Sequence, residues 1–286
     1  MNKFNIYNND CLEEMKNIKD KSIDLIFTDL PYGETNCKWD TPIDLDLMWK
    51  QFKRIRKDTT PIIFTCSTKF GYSLIESNKK EFRYDLVWVK SSPVGFLNAK
   101  RMPMKKHELV YVFYKKCPSE VYSNNIKKYH KHKYLDNNDN NIIYKSDSEL
   151  YGKVDRPDFK NRKGESRYNP PLPNSIIKED ETIYKKTLYG DIKDIKNRPH
   201  ITTYNPPLPN SILEIKSQKG SHSTQKPTAL SDFFIKYYSN EGDIVLDICM
   251  GSASTGISCL NLNRQFIGIE KDKDIFNIAK KRLETN

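Results

Sequence analysis

Residues 243–270 run Asp243-Ile244-Val245-Leu246-Asp247, then Ile248-Cys249-Met250-Gly251-Ser252-Ala253-Ser254-Thr255-Gly256, a helical pattern to Asn263, and Gln265-Phe266-Ile267-Gly268-Ile269-Glu270. This is strand, small-residue loop, helix, strand ending in an acid. Small residues before a helix let backbone N–H groups approach a ligand closely. An acid ending the second strand stands where a ribose hydroxyl pair is gripped. The segment predicts an α/β fold with a nucleotide-like ligand over the loop, without choosing among such ligands.

The same logic applies near the other end of the chain. The apolar run Ile23-Asp24-Leu25-Ile26-Phe27-Thr28 leads into Asp29-Leu30-Pro31-Tyr32-Gly33. A strand that ends in acid-x-Pro-aromatic offers a carboxylate and a carbonyl beside an aromatic face, on a turn stiffened by proline. A planar group with an exocyclic amine can stack on Tyr32 while its N–H groups point at Asp29 and the Leu30 carbonyl. Both acceptors raise electron density on that nitrogen and favour its attack on an electrophile. The plain alternative is a strand-ending turn, because Asp and Pro are common in turns.

Between these segments strands and helices alternate. Leu45 to Arg56 is helical in pattern, Pro61 to Thr65 a buried strand, Phe70 to Ser77 helical, and Tyr84 to Lys90 and Leu109 to Tyr114 strands. Alternation predicts a parallel sheet with right-handed crossovers. The stretch 91–107 between the last two strands reads as a long loop; its glycine, prolines and four Lys and Arg residues suit a phosphate contact beside a target base.

The chain of 286 residues carries 48 Lys and Arg against 37 Asp and Glu, a net charge of +11. That balance suits a polyanionic partner. No apolar run approaches the ~18 residues of a membrane span, and the opening Met-Asn-Lys lacks a signal-peptide core. The six cysteines form no C-x-x-C pair and the five histidines no ligand grouping, so reduced thiols, no metal and a cytoplasmic setting are expected.

Four motifs in a fixed order carry a resemblance. Asp29-Leu30-Pro31-Tyr32 resembles the D-P-P-Y motif of amino-methyltransferases, which methylate exocyclic nitrogens of nucleobases. Asp247 to Thr255 is similar to the D-P-F-x-G-S-G-T-T motif with which the permuted β group of those enzymes binds S-adenosylmethionine. His222-Ser223-Thr224-Gln225-Lys226-Pro227 resembles H-P-T-Q-K-P, which lies against the methionine end of that cofactor. Ile6 to Cys11 resembles a strand ending in Gly-Asp that contacts the adenine, with Asn9 in place of Gly. Ile248-Cys249 replaces Pro-Phe, Ala253 the second glycine and Ser254 the first threonine; alanine there is unfavourable where φ is positive.

The resemblance implies a Rossmann-like methyltransferase fold, a mostly parallel doubly wound α/β sheet with circularly permuted motif order. It implies Asp29, Leu30, Pro31 and Tyr32 as catalytic. Asp10, Cys11, Thr224, Gln225, Lys226, Asp247, Met250, Gly251, Ser252 and Glu270 would bind the cofactor. The helix from Asp272 to Glu284 can bring its unit back to the first strand, which reconciles the permuted order with one sheet.

The expected organisation is a catalytic half at 1–114, an inserted target-recognition or linker region at 115–220, and a cofactor-binding half at 221–286. The insert holds 21 Lys and Arg against 14 Asp and Glu, with interleaved tyrosines, as a backbone-tracking nucleic-acid surface or a polar linker would. Tyr168 to Ile176 recurs verbatim as Tyr204 to Ile212; the second copy is expected in the core, since it matches a segment preceding H-P-T-Q-K-P.

The expected activity is S-adenosylmethionine-dependent methylation of the N6 amine of adenine in double-stranded DNA, with a homodimer implied by resemblance. Asp29 tilts the choice to adenine, because the resembling cytosine-N4 enzymes more often carry Ser there. An RNA adenine or glutamine-N5 methyltransferase and a non-catalytic DNA-binding relative stay open, as does bacterial or phage origin.

Overall fold

Helix-period and strand-period patterns alternate along both ends of the chain, and the structure, a computed structural model, turns them into one layered α/β body. It describes residues 3–35, 37, 40–94, 105–129, 131–132, 145–148, 152–155, 204–205, 211–216 and 225–285. Two compact units are distinguished: residues 1–126 with 210–286, and residues 127–209. In the second, the described strands are β6 (Lys131–His132) paired with β9 (Tyr204–Asn205), and β7 (Lys145–Ser148) paired with β8 (Gly152–Asp155), both antiparallel.

In the first unit, eight strands among the described residues form one sheet. They are β1 (Phe4–Asn8), β2 (Leu25–Thr28), β3 (Ile62–Cys66), β4 (Phe82–Val94), β5 (Lys105–Phe113), β10 (Ile212–Glu214), β11 (Ile244–Asp247) and β12 (Gln265–Glu270). Their order across the sheet is β1-β12-β11-β2-β3-β5-β4-β10. All neighbours are parallel except those of β5, which runs antiparallel between β3 and β4. The sheet is therefore mostly parallel, as expected. The direction of β5 could not be read from its continuous apolar run, which looks the same either way.

The chain ends meet as the permuted order requires. β1 pairs with β12 from Phe4↔Phe266 to Asn8↔Glu270. The Asn8 amide donates to the carbonyls of Glu270 (2.9 Å) and Lys271 (3.1 Å), fastening the seam. The second copy of the repeat reaches the core through its end: Ile212 begins β10, which pairs with Val87 to Val89 of β4.

The stretch 91–107 departs from its reading as a loop. Residues 91–94 continue β4, residues 105–107 begin β5, and Val94 pairs with Lys105. Glycine and prolines suggested a bent loop, yet the register shifts between Val89 and Val94, and such an irregularity tolerates a residue without an N–H. Residues 95–104 lie outside the described residues, and with them part of the proposed base-flanking segment. Thr224 and the first copy of the repeat lie outside them too.

Helices cover the sheet because their apolar stripes match its faces. In α2 (Leu45–Ile55), capped by the Asp44 carboxylate on Leu47 N–H, the buried positions are Met48, Trp49, Phe52 and Ile55. Trp49 packs on Phe64 and Phe113 with ring centroids 5.7 and 5.3 Å away. Each such buried aromatic contributes about 1.5–3 kcal/mol. The remaining helices are α1 (Cys11–Glu14), α3 (Thr68–Ser77), α4 (Ser119–Tyr129), α5 (Thr228–Tyr238), α6 (Ser254–Asn261) and α7 (Lys273–Glu284). No described helix is long and apolar enough to cross a membrane.

Candidate active site

Parallel neighbours deliver their C-terminal ends to one edge of a sheet, where ligands of open α/β folds bind. Here β1, β12, β11 and β2 do so side by side: Glu270 ends β12, while Asp10, the loop Ile248–Ala253 and Asp29 come after β1, β11 and β2. The motif residues from both ends of the chain thus come together.

The Asp29 carboxylate is the centre of one group. Its Oδ1 accepts from the Tyr32 hydroxyl (2.8 Å) and the Thr65 hydroxyl, and its Oδ2 from Lys226 Nζ (2.6 Å). Leu30 is buried in the core beneath, and Pro31 sits half-buried in the turn. Tyr32 stacks on Phe70 with centroids 5.1 Å apart and rings 26° from parallel. Burial, then the carboxylates of Asp29 and Glu108, push the Tyr32 phenol well above its ordinary range, so it remains a donor.

The turn that follows is held by Asp40, whose buried carboxylate accepts from Gly33 N–H (2.8 Å), Glu34 N–H (3.0 Å) and Thr35 N–H (2.7 Å). Gly33 has φ +68, and a Cβ there would meet Pro42 Cγ at 2.5 Å, so only glycine fits.

Lys226 precedes α5 and reaches two carboxylates. Besides Asp29 it lies 3.4 Å from Glu108 Oε2 on β5, and Lys90 on β4 pairs with Glu108 Oε1. Burial alone would lower the Lys226 ammonium, but Asp29 and Glu108 outweigh it and raise it above its ordinary value. Lys226 is therefore a cation in this setting.

The second group is the loop after β11. Asp247 is buried, and its carboxylate accepts from Thr28 (2.8 Å), Thr255 (2.8 Å) and Cys249 N–H (3.2 Å). Burial pushes its carboxyl up to about 7 despite those donors. Its side chain braces the loop from beneath. Met250 turns inward as well, its sulfur over Gly268 of β12.

Gly251 has φ +51, its N–H donates to Glu270 Oε2 (3.0 Å), and no atom lies within 4 Å of where its Cβ would be. The backbone is open to a ligand at that point. Glu270 Oε1 accepts from Asp272 N–H (2.9 Å). Each carboxylate oxygen so keeps a lone pair for a ribose hydroxyl. Burial raises the Glu270 carboxyl above its ordinary value. Ala253 caps α6 at φ +61, the left-handed conformation anticipated as unfavourable for a non-glycine residue.

Ser252 Oγ donates to Gln225 Oε1 (3.1 Å), and Arg282 of α7 clasps both, reaching the Ser252 carbonyl, Ser252 Oγ (2.9 Å) and Gln225 Oε1 (3.4 Å). On the other side of Glu270, Asp10 caps α1 through Leu12 N–H (2.9 Å) and pairs with Lys271 (3.1 Å). Burial raises the Asp10 carboxyl, but Lys271 and the cap bonds bring it below its ordinary value. The Cys249 thiol lies beside Cys11 and holds the Cys11 thiol below its ordinary value, so the loops after β1 and β11 adjoin there. Open space at Gly251, free lone pairs on Glu270 and flanking polar caps fit a nucleoside with a charged tail.

Sequence reasoning missed Thr65, Phe70, Lys90, Glu108 and Arg282. Glu108 had a signal, as an acid directly before the apolar run Leu109–Phe113; the others are ordinary residues of their elements. Among the described residues no group of three or more His, Cys, Asp or Glu could hold a metal.

A family model described as DNA methylase matches residues 23–281. The Type II methyltransferase M2.DpnII of Streptococcus pneumoniae is 42% identical over 71 residues, 25% of this chain and 26% of that protein. The Type II methyltransferase M.HinfI of Haemophilus influenzae is 24% identical over 97% of this chain and 67% of its own length. The chain spans about a quarter of the length of several curated relatives it matches. The crystal structure of the M1.HpyAVI–SAM complex superposes with a TM-score of 0.54 at 24% identity, covering 98% of this chain and 100% of that one, and shares the fold.

Proposed function

Because the chain belongs to the DNA methylase family, we propose that it methylates the N6 amine of adenine at a specific site in double-stranded DNA, using S-adenosylmethionine. The observation that carries this reading is the 2.6 Å contact between Lys226 and Asp29, which joins the amine-binding turn to the start of the cofactor half.

The amine of a paired adenine is hidden in the duplex, so the base is flipped out at a cost of a few kcal/mol. With Phe70 against one face of Tyr32, the other face receives the base. Asp29 and the Leu30 carbonyl accept its two N–H bonds and raise the density of the nitrogen lone pair. S-adenosylmethionine, when bound, supplies an electrophilic sulfonium methyl. Glu270 receives its ribose hydroxyls, the Gly251 backbone lies open beside it, and Gln225, Ser252 and Lys226 line its methionine end. Thr224 belongs to the same group by sequence. Asp10 and Cys11 stand on the adenine side, and Asp247 and Met250 shape the loop from below. Holding both reactants in register lowers the barrier without a covalent enzyme intermediate.

The basic insert, residues 115–220, supports a role in reading the DNA backbone, between a catalytic half at 1–114 and a cofactor half at 221–286. A DNA substrate fits a cytoplasmic enzyme, of bacterial or phage origin. A homodimer accompanies the reading by resemblance and is checked by sedimentation velocity.

The test is transfer from tritiated S-adenosylmethionine to duplex DNA, single-stranded DNA and RNA in parallel, followed by nucleoside analysis. N6-methyladenine in duplex DNA is expected; N4-methylcytosine, or label confined to RNA, would overturn it. Asp29→Ala and Tyr32→Ala should abolish transfer while calorimetric cofactor binding survives, and normal turnover in both removes the mechanism.

A further inference from the structure

Four charged side chains alternate in sign through the site: Lys90, Glu108, Lys226 and Asp29. Two of them, Lys90 on β4 and Glu108 on β5, come from elements outside the motifs. Two details set Glu108 apart. It is largely buried, with 15% of its side chain exposed. Its Oε1 is paired with Lys90, but its Oε2 is buried and accepts no hydrogen bond among the described residues, while Lys226 Nζ stands 3.4 Å away. A buried carboxylate oxygen left in that state is costly unless something takes it up at another stage.

Lys226 meanwhile donates to Asp29 Oδ2. Asp29 Oδ1 already accepts two hydroxyls. An incoming amine N–H is thus left with the second lone pair of Oδ2, directly beside the Lys226 ammonium. A cation held there also withdraws density from the acceptor meant to enrich the amine. It repels the positive charge that develops on the nitrogen as its fourth bond forms, and it adds to the charge of a sulfonium.

Resting on the adenine-methylation reading, we propose that Glu108 is a positioning residue that takes Lys226 from Asp29 when the target amine binds. Closing from 3.4 Å to an ordinary charged hydrogen bond needs a shift of only about 0.6 Å. The move satisfies Glu108 Oε2, stretches the 2.6 Å contact of Lys226 with Asp29 Oδ2 to about 3.2 Å and so loosens it, and keeps the four-residue group neutral. Burial pushes the Glu108 carboxyl up, but Lys226 and Lys90 outweigh it and hold it below its ordinary range, so it is ionised and ready to accept.

The experiment is a single-turnover methyl transfer from tritiated S-adenosylmethionine to duplex DNA with four proteins: the parent, Glu108→Gln, Lys226→Met and the double variant. Cofactor and DNA affinities are measured alongside. Glu108→Gln should slow transfer roughly 10- to 100-fold, the size of a lost charged hydrogen bond, with both affinities within about threefold of the parent. In the Lys226→Met background the same substitution should cost less than about threefold, because the lysine through which it acts is gone. Glu108→Asp, which keeps the charge, should fall between the parent and Glu108→Gln.

An unchanged rate in Glu108→Gln overturns the inference, as does an equal loss in both backgrounds or a Glu108→Asp as slow as Glu108→Gln. Should Glu108→Gln fail to fold, the double variant, which restores local neutrality, carries the test: its rate should match Lys226→Met, and a much slower rate overturns the idea. A parent that methylates no nucleic acid defeats the functional reading and this inference with it, whereas an active parent with an indifferent Glu108 defeats this inference alone.

Discussion

Replacing Asp247 by Asn should stabilise the protein at alkaline pH and slightly destabilise it in acid. The carboxyl rises from an ordinary 3.8 to about 7 because it is buried, with 4% of the residue exposed. A folded-state value above the unfolded one means the stability this group contributes is fully present below about pH 4. It is lost as pH rises through 7, at about 1.4 kcal/mol per pH unit between the two values. Three units amount to about 4 kcal/mol. Asparagine is isosteric and escapes this loss. Its oxygen can keep Thr28 and Cys249 N–H, while Thr255 must turn its hydroxyl from donor to acceptor, at a cost of about 1 kcal/mol. The variant should therefore be less stable by about 1 kcal/mol near pH 4 and more stable by about 3 kcal/mol at pH 8. Urea midpoints of both proteins at half-unit steps from pH 4 to 8.5 give the difference directly when the slopes agree. A gap that stays constant with pH, or that widens against the variant in alkali, would refute the reasoning.

Two more substitutions probe the cofactor loop. Arg282→Met keeps the aliphatic stem but removes the clasp on Ser252 and Gln225. Calorimetric affinity for S-adenosylmethionine should fall about tenfold, in line with one charged hydrogen bond, and an unaltered affinity would show that the clasp does not order the loop. Ala253→Gly relieves about 1 kcal/mol of left-handed strain. It gives back about as much in chain entropy and a buried methyl. The thermal midpoint should thus stay within a few degrees of the parent, and a large gain would mean that the strain at Ala253 is greater than its φ suggests.

What could be read along the chain was whatever is local. The strand–loop–helix–strand of residues 243–270 announced itself through hydrophobic period and small residues, and each element lies within about three residues of its expected bounds. The helical pattern read from Leu45 to Arg56 held for α2 for the same reason. Strand direction was not local: β5 is antiparallel because it closes a hairpin on β4, and its side chains carry no mark of that. Nor were the partners of Asp29. Thr65 arrives from the neighbouring strand, and Lys226 from 197 residues away. Tyr32 and Asp29 could be named as a pair from spacing alone, but their hydroxyl–carboxylate bond and the Phe70 stack belong to the packed structure.

The seam between β1 and β12 bears on how the protein is made. A ribosome releases Phe4–Asn8 about 260 residues before its partner strand, so at roughly 5–20 residues per second the first strand waits on the order of 10–50 s. Its neighbour-but-one, β11, is equally late, and β2 spends that time with one side unpaired. The asparagines at positions 5 and 8 give the waiting strand a polar character that discourages mispairing with other nascent chains. The amine-side turn exists early in synthesis, whereas the donor side arrives with the last strand–helix unit. A chain cut short by even that unit would leave the ribosome without a closed sheet and without the means to modify anything.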